Sequence, residues 1–293
     1  MRLARTTPYK LAEKIAAAWH AANTSEAIAV PLGVTATLAL LGQQDVHDGR
    51  DVAQYVLSLD AAALYGFLRR VWAHAWLYDP YLVSCCRPLA AWLDAEELAD
   101  ELLRAIHAVA RSAVTGGLLG LTGHPDPAER CHYDVLGALL TVLRSPGGRH
   151  ALAEHHSPPD LTTLLVQLAL LETPEAGRSF DDCAAGTGGM IRAAALTLRL
   201  SGADPADYRW SMGDLDPLAA ACCAVNAMIW GLGPRVLIFC GDTLASGNGP
   251  ALAARRRREV LDRFERLTYA VTGLQAVIEA AQIITRAARR DAA

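Results

Sequence analysis

The residues best suited to chemistry are Asp182-Cys183-Ala184-Ala185-Gly186-Thr187-Gly188-Gly189, a glycine-rich run between a short strand signal and a helical one. Glycine is needed where backbone takes a positive φ or comes close to a ligand, and the helix start beyond supplies free N–H groups. The run is neither G-x-G-x-x-G nor G-x-x-x-x-G-K-[ST], so dinucleotide and phosphate-loop readings lose their main support. Two more acidic turns follow. Asp214 and Asp216, in Gly213-Asp214-Leu215-Asp216-Pro217, end a second strand, where a carboxylate can accept from both hydroxyls of a ribose. Asp242, in Cys240-Gly241-Asp242-Thr243-Leu244, follows a third strand, where a carboxylate can accept from an exocyclic amine. Three strand ends carrying Gly and Asp point to one crevice at the carboxyl edge of a sheet. The plainer reading of each aspartate alone is a helix N-cap.

The elements that position these residues follow from periodicity. A helix over 160–171 leads through Thr173-Pro174-Glu175-Ala176-Gly177 into a strand at Ser179-Phe180-Asp181-Asp182. A second strand is expected around 208–212, a helix over 217–230, a third strand over 236–240, and helix again from Pro250 onward. Strands alternating with helices indicate a parallel, doubly wound sheet, hence an α/β class. Residues 1–150 read differently. Apolar positions recur at three- and four-residue spacing over 9–22, 60–77 and 94–114, separated by turns such as 45–49, which predicts an all-α N-terminal domain.

Composition bounds the rest. The 293 residues hold 27 Lys+Arg against 31 Asp+Glu and are 52% hydrophobic, which excludes a polycation, an acidic tail and intrinsic disorder. The uncharged runs 27–42 and 218–234 fall short of a bilayer span and contain Pro or Gly, so no membrane partner is expected. No signal peptide is recognisable at the start. Seven cysteines without C-x-x-C suit a reduced, cytoplasmic chain. Lesser features have bland explanations. Arg255 to Arg258 reads as a solvated helix with internal ion pairs, Trp72 with Trp76 as a core stripe, and Cys222-Cys223 as packing. His155-His156 and Cys131-His132 lack a second pair at metal-ligand spacing.

At this level the chain resembles a family. Phe180 to Met190 looks like motif I of the adenine-N6 DNA methyltransferases of the type I modification subunits, close to D-P-A-C-G-T-G-G. Met212 to Pro217, with Asn226 ten residues after Asp216, is similar to the family's G-x-E-x-[ND]-P helix entry and its later Asn. Gly241-Asp242-Thr243-Leu244 resembles G-D-T-L, and Glu154-His155-His156-Ser157-Pro158 resembles E-F-Y-T-P. Cys183 stands where the family has Pro and Ala185 where it has Cys, both small changes. The resemblance implies S-adenosylmethionine as cofactor. The loop, with Asp182, Ala184, Gly186, Thr187, Gly188 and Gly189, would hold its methionine part. Asp214 and Asp216 would stand at its ribose, Asp242 at the adenine amine, and Ser157 and Pro158 beside its carboxylate. It implies a helical domain over 1–150, a partial Rossmann-like methyltransferase sheet over 151–249 and a helical segment over 250–293.

One departure concerns catalysis. The family uses [DNS]-P-P-[YFW] after a fourth strand, where polar groups accept from the target amine and the aromatic stacks on a flipped base. About 50 residues follow Asp242 and contain no such tetrapeptide, and Ser157-Pro158-Pro159-Asp160 ends in a residue that cannot stack. The expectation is a chain that binds cofactor and DNA but needs a partner subunit for catalysis and target recognition. The alternative is an inactive cofactor sensor or scaffold. Without later strands the Phe180 strand would be an unpaired edge, to be covered by the terminal helix, a second copy or the partner.

Overall fold

A computed structural model describes residues 6–22, 27–144 and 159–291; Ser157 and Pro158 lie outside them. The first half carries α1 (Pro8–Ala22), α2 (Ala29–Ala39), β1 (Val46–His47), β2 (Arg50–Asp51), α3 (Val52–Ser58), α4 (Ala61–Tyr78), α5 (Pro80–Cys85) and α6 (Arg87–Ala90). It continues with α7 (Asp100–Thr115), α8 (Leu118–Thr122), α9 (Pro127–Arg130) and α10 (Val135–Leu143). The second half carries α11 (Pro159–Ala169), β3 (Ser179–Asp182), α12 (Gly189–Leu200), β4 (Arg209–Asp214) and α13 (Pro217–Ile229). It ends with β5 (Val236–Cys240), α14 (Thr243–Ser246) and α15 (Gly249–Asp291). The chain is thus mixed α/β, mostly helical, with a small three-stranded parallel sheet. Among the described residues no helix is long and apolar enough to cross a membrane.

Two local expectations need correction. The N-terminal half is not purely helical: β1 and β2 pair as an antiparallel hairpin, because Asp48 (φ 52°) and Gly49 (φ 72°) supply the two left-handed residues of a tight turn. Asp-Gly was the available signal. Helix α7 starts at Asp100, not at Asp94, since residues 95–99 break the helix after a short 3-10 turn at Ala91–Asp94.

The sheet runs β3-β4-β5, all parallel, with Asp182 opposite Met212 and Asp214 opposite Cys240. Each crossover carries a helix, as parallel pairing requires. The centre of the molecule is α13. Ten of its residues are buried, and nearly all are Ala, Cys or Val, so it is apolar all round and small enough for two layers to approach it. On it pack β4 and β5 from the second half and α2, α5, α6 and α10 from the first. The two halves therefore share one continuous core.

The two sheet edges differ. On β5 the outward N–H of Ile238 donates to the Tyr81 hydroxyl (2.9 Å), which in turn donates to the Ile238 carbonyl (3.2 Å), so α5 satisfies that edge. The terminal helix α15 lies against β5, β4 and α5 as well. On the β3 side no further strand pairs among the described residues. Phe180 in β3 instead stacks on Trp210 (centroids 4.7 Å apart) with Tyr208 edge-on.

Candidate functional site

The loop from Asp182 to Gly189 is built by hydrogen bonds to its neighbours. The Ala185 N–H donates to the Gly213 carbonyl (2.9 Å), the Gly188 N–H to Ala185 (2.7 Å), and the Gly186 N–H to Asp214 Oδ2 (2.7 Å). Gly186 (φ 56°) and Gly188 (φ 95°) take left-handed backbone. At Gly188 a Cβ would also press on the Trp230 ring at 3.1 Å. Gly186 and Gly189 are different: a Cβ at either would enter open space. That space is a cleft of about 390 Å³, within the ~300–1,000 Å³ usual for small-molecule pockets.

One wall of the cleft is the loop, with Asp182, Ala184, Gly186, Thr187 and Gly189; the N-terminus of α12 opens beside it. The helical half contributes the rest of the lining: Tyr9 of α1, His132 and Tyr133 before α10, and Asp134. Thr162 of α11 completes it. The helix start offers N–H groups and positive partial charge, the tyrosines offer apolar faces, and Asp182 and Asp134 offer acceptors. Asp182 accepts from the Ala184 N–H (3.2 Å), and burial beside the Asp181 and Asp214 charges raises its carboxyl above the usual carboxylate range.

The halves are joined at Asp134, which sequence reasoning missed. Its Oδ1 caps α10 through the Gly137 N–H (2.8 Å) and accepts from Asn226 Nδ2 (3.1 Å). Its Oδ2 accepts from the Thr187 hydroxyl (2.6 Å). Asn226 Nδ2 also donates to the Thr187 carbonyl (2.9 Å), and the buried Cys223 thiol donates to the Gly186 carbonyl (3.1 Å). The available signal was only Tyr133-Asp134 ahead of the apolar run 135–143, which reads as an ordinary cap.

The other predicted aspartates are not gathered in the cleft. Asp214 stands behind the loop, with Oδ2 on Gly186 and Oδ1 accepting the Asp216 N–H (2.9 Å). Asp216 caps α13 through the N–H groups of Leu218 (3.1 Å) and Ala219 (2.8 Å), and forms a buried ion pair with Arg144. Its carboxylate is fully engaged in holding the halves together. Asp242 is exposed and caps α14 through Ala245 N–H (2.8 Å). Thr243 beside it donates to the Cys183 carbonyl (2.7 Å), which ties the third strand end to the loop.

The lesser residues fall as follows. Arg255 pairs with Glu259 one turn on (2.9 Å), while Arg256 and Arg257 donate to the carbonyls of Ser84 and Pro234. Trp72 is buried and donates to Thr37 (2.7 Å). Among known proteins, no protein-family model and no curated protein matches this chain.

Proposed function

We propose that the chain is an S-adenosylmethionine-binding protein of the DNA adenine-N6 methyltransferase type, acting with DNA in the cytoplasm as part of a modification system. The observation that carries this reading is the cleft under the β3–α12 loop, where Gly186 and Gly189 leave open space in front of a helix N-terminus. The order of motifs along a parallel sheet supports it, and the proposal includes the finer reading of that sheet as half of a Rossmann-like methyltransferase core.

When bound, the cofactor supplies an electrophilic methyl group on a sulfonium. The chain's part is to bind and orient. The α12 N-terminus and the Gly189 backbone would receive the carboxylate of the methionine part. Asp182, held by Ala184, would face its ammonium. Tyr9 and Tyr133, which line the cleft, would offer apolar faces to the purine. Asp214 sets the loop through Gly186, and Asp216 and Asp242 act as caps in this scheme. In this reading a partner subunit supplies the group that accepts from the target amine, since the 293 residues contain no [DNS]-P-P-[YFW] tetrapeptide.

Two experiments test this. Ultraviolet cross-linking of labelled cofactor to the full chain should place the label on peptides containing Tyr9, Tyr133 or the 182–189 loop; label elsewhere or nowhere contradicts the site. Incubating the chain alone with labelled cofactor and unmethylated DNA should give no methyladenine, and clear incorporation would overturn the dependence on a partner.

A further inference from the structure

Arg192 lies in the first turn of α12, just beyond the stretch 180–190 that carries the family resemblance. It is only 7% exposed, and it lines the cleft. Burying a cation is costly unless a counter-charge and hydrogen-bond acceptors replace its lost hydration. Arg192 has little of either. Its Nη1 donates to the Cys131 carbonyl (2.7 Å), and among the described residues no carboxylate pairs with it.

The neighbouring arginines are employed differently. Arg130 donates to the carbonyls of Ile229 and His124, and Arg199 to those of Trp230 (2.7 Å) and Gly231 (2.9 Å), so both satisfy the C-terminal end of α13. All three guanidinium groups stand near the Cys131 thiol, but of the three only Arg192 lines the cleft. Helical side chains lean toward the N-terminal turn, which brings Arg192 to the end of α12 where Gly189 lines the same cleft. The unpaired N–H groups of that turn add to its positive charge.

The rest of the lining decides which anion fits. Asp182 and Asp134 also border the cleft, and neither forms an ion pair with Arg192, so opposite charges are held apart there. A small dianion such as phosphate would meet both carboxylates as well as the arginine. A group that carries a cation beside its anion meets each charge with its opposite. The Asp134 carboxylate already accepts from Gly137, Asn226 and Thr187, which leaves Asp182 for the cation. We propose that Arg192 receives the carboxylate of an α-amino-acid group whose ammonium faces Asp182, and so makes the cleft selective for a ligand with a free carboxylate. An arginine fork on a carboxylate is a strong, charge-assisted pairing. The inference rests on the cofactor reading above and adds the residue that discriminates at its methionine end.

Calorimetric titration with S-adenosylmethionine and with its decarboxylated form, which keeps the ammonium and the sulfonium, tests this. The unaltered protein should bind the first at least about tenfold more tightly. Arg192→Gln keeps a donor for the Cys131 carbonyl and removes the charge. It should weaken S-adenosylmethionine by about tenfold and leave the decarboxylated form within about twofold. Equal loss for both ligands, or loss for neither, overturns the role of Arg192 and leaves the cofactor reading in place. No binding of either ligand by the folded, unaltered protein overturns both. If circular dichroism shows the variant to be misfolded, the unaltered protein decides: equal affinity for the two ligands overturns the proposal, and the expected preference supports it.

Discussion

At the residue scale the site depends on which carboxylates are already committed. Asp216 and Arg144 are both buried, so removing the guanidinium leaves an uncompensated charge. Arg144→Ala should cost about 3–5 kcal/mol in urea unfolding, whereas a small effect would show the pair to be dispensable. Asp182 acts in the opposite sense. Its native carboxyl is raised, so the folded state holds the proton more tightly than the unfolded chain, and stability is gained as pH falls through the native value toward 3.8. Asp182→Asn should therefore be more stable than the unaltered protein at pH 7, with the difference shrinking toward pH 4. An unchanged midpoint across that range would contradict the shift. What the sequence made legible here were residue types at strand ends; whether a given aspartate faces a ligand or a backbone N–H depends on neighbours it cannot show. Asp214 and Asp216 are two residues apart, yet one holds the loop and the other an arginine 72 positions away.

At the scale of elements, the joint between the halves is the Asp134, Thr187 and Asn226 cluster. Thr187→Val and Asn226→Leu should each cost about 1–3 kcal/mol, and the double variant less than their sum, because both act on the same carboxylate. Strict additivity would mean the two bonds are independent. The β5 edge gives a second test. Tyr81→Phe strands the N–H and carbonyl of Ile238 in the interior and should lower stability by about 1–3 kcal/mol with the fold intact. Elements of the second half were legible to within a residue or two, since strand, glycine turn and apolar helix alternate there: β3 lies at 179–182 and β5 at 236–240, where periodicity sets them. The hairpin at 46–51 was not, because two-residue strands carry no period and only Asp-Gly marks the turn. Tyr81 was also invisible as an edge cap, since its partner is 157 residues away.

At the scale of the whole molecule, α13 fuses a helical half and a small parallel sheet into one core, and the cleft opens where the two meet. Sequence alone divided the chain at about residue 150 and placed ligand groups on the sheet side only. The lining by Tyr9, Tyr133 and Asp134 emerges from long-range packing of α1 and α10. The central claim is that this cleft takes S-adenosylmethionine. Calorimetric titration of the cofactor into the protein, beside its Gly189→Val variant, tests that claim most directly. Valine there fills open cleft without meeting protein, so the variant should fold normally. The account predicts saturable one-to-one binding weakened at least about tenfold by the substitution, ~1.4 kcal/mol. No binding by the folded protein, or equal affinity in the variant, would contradict it.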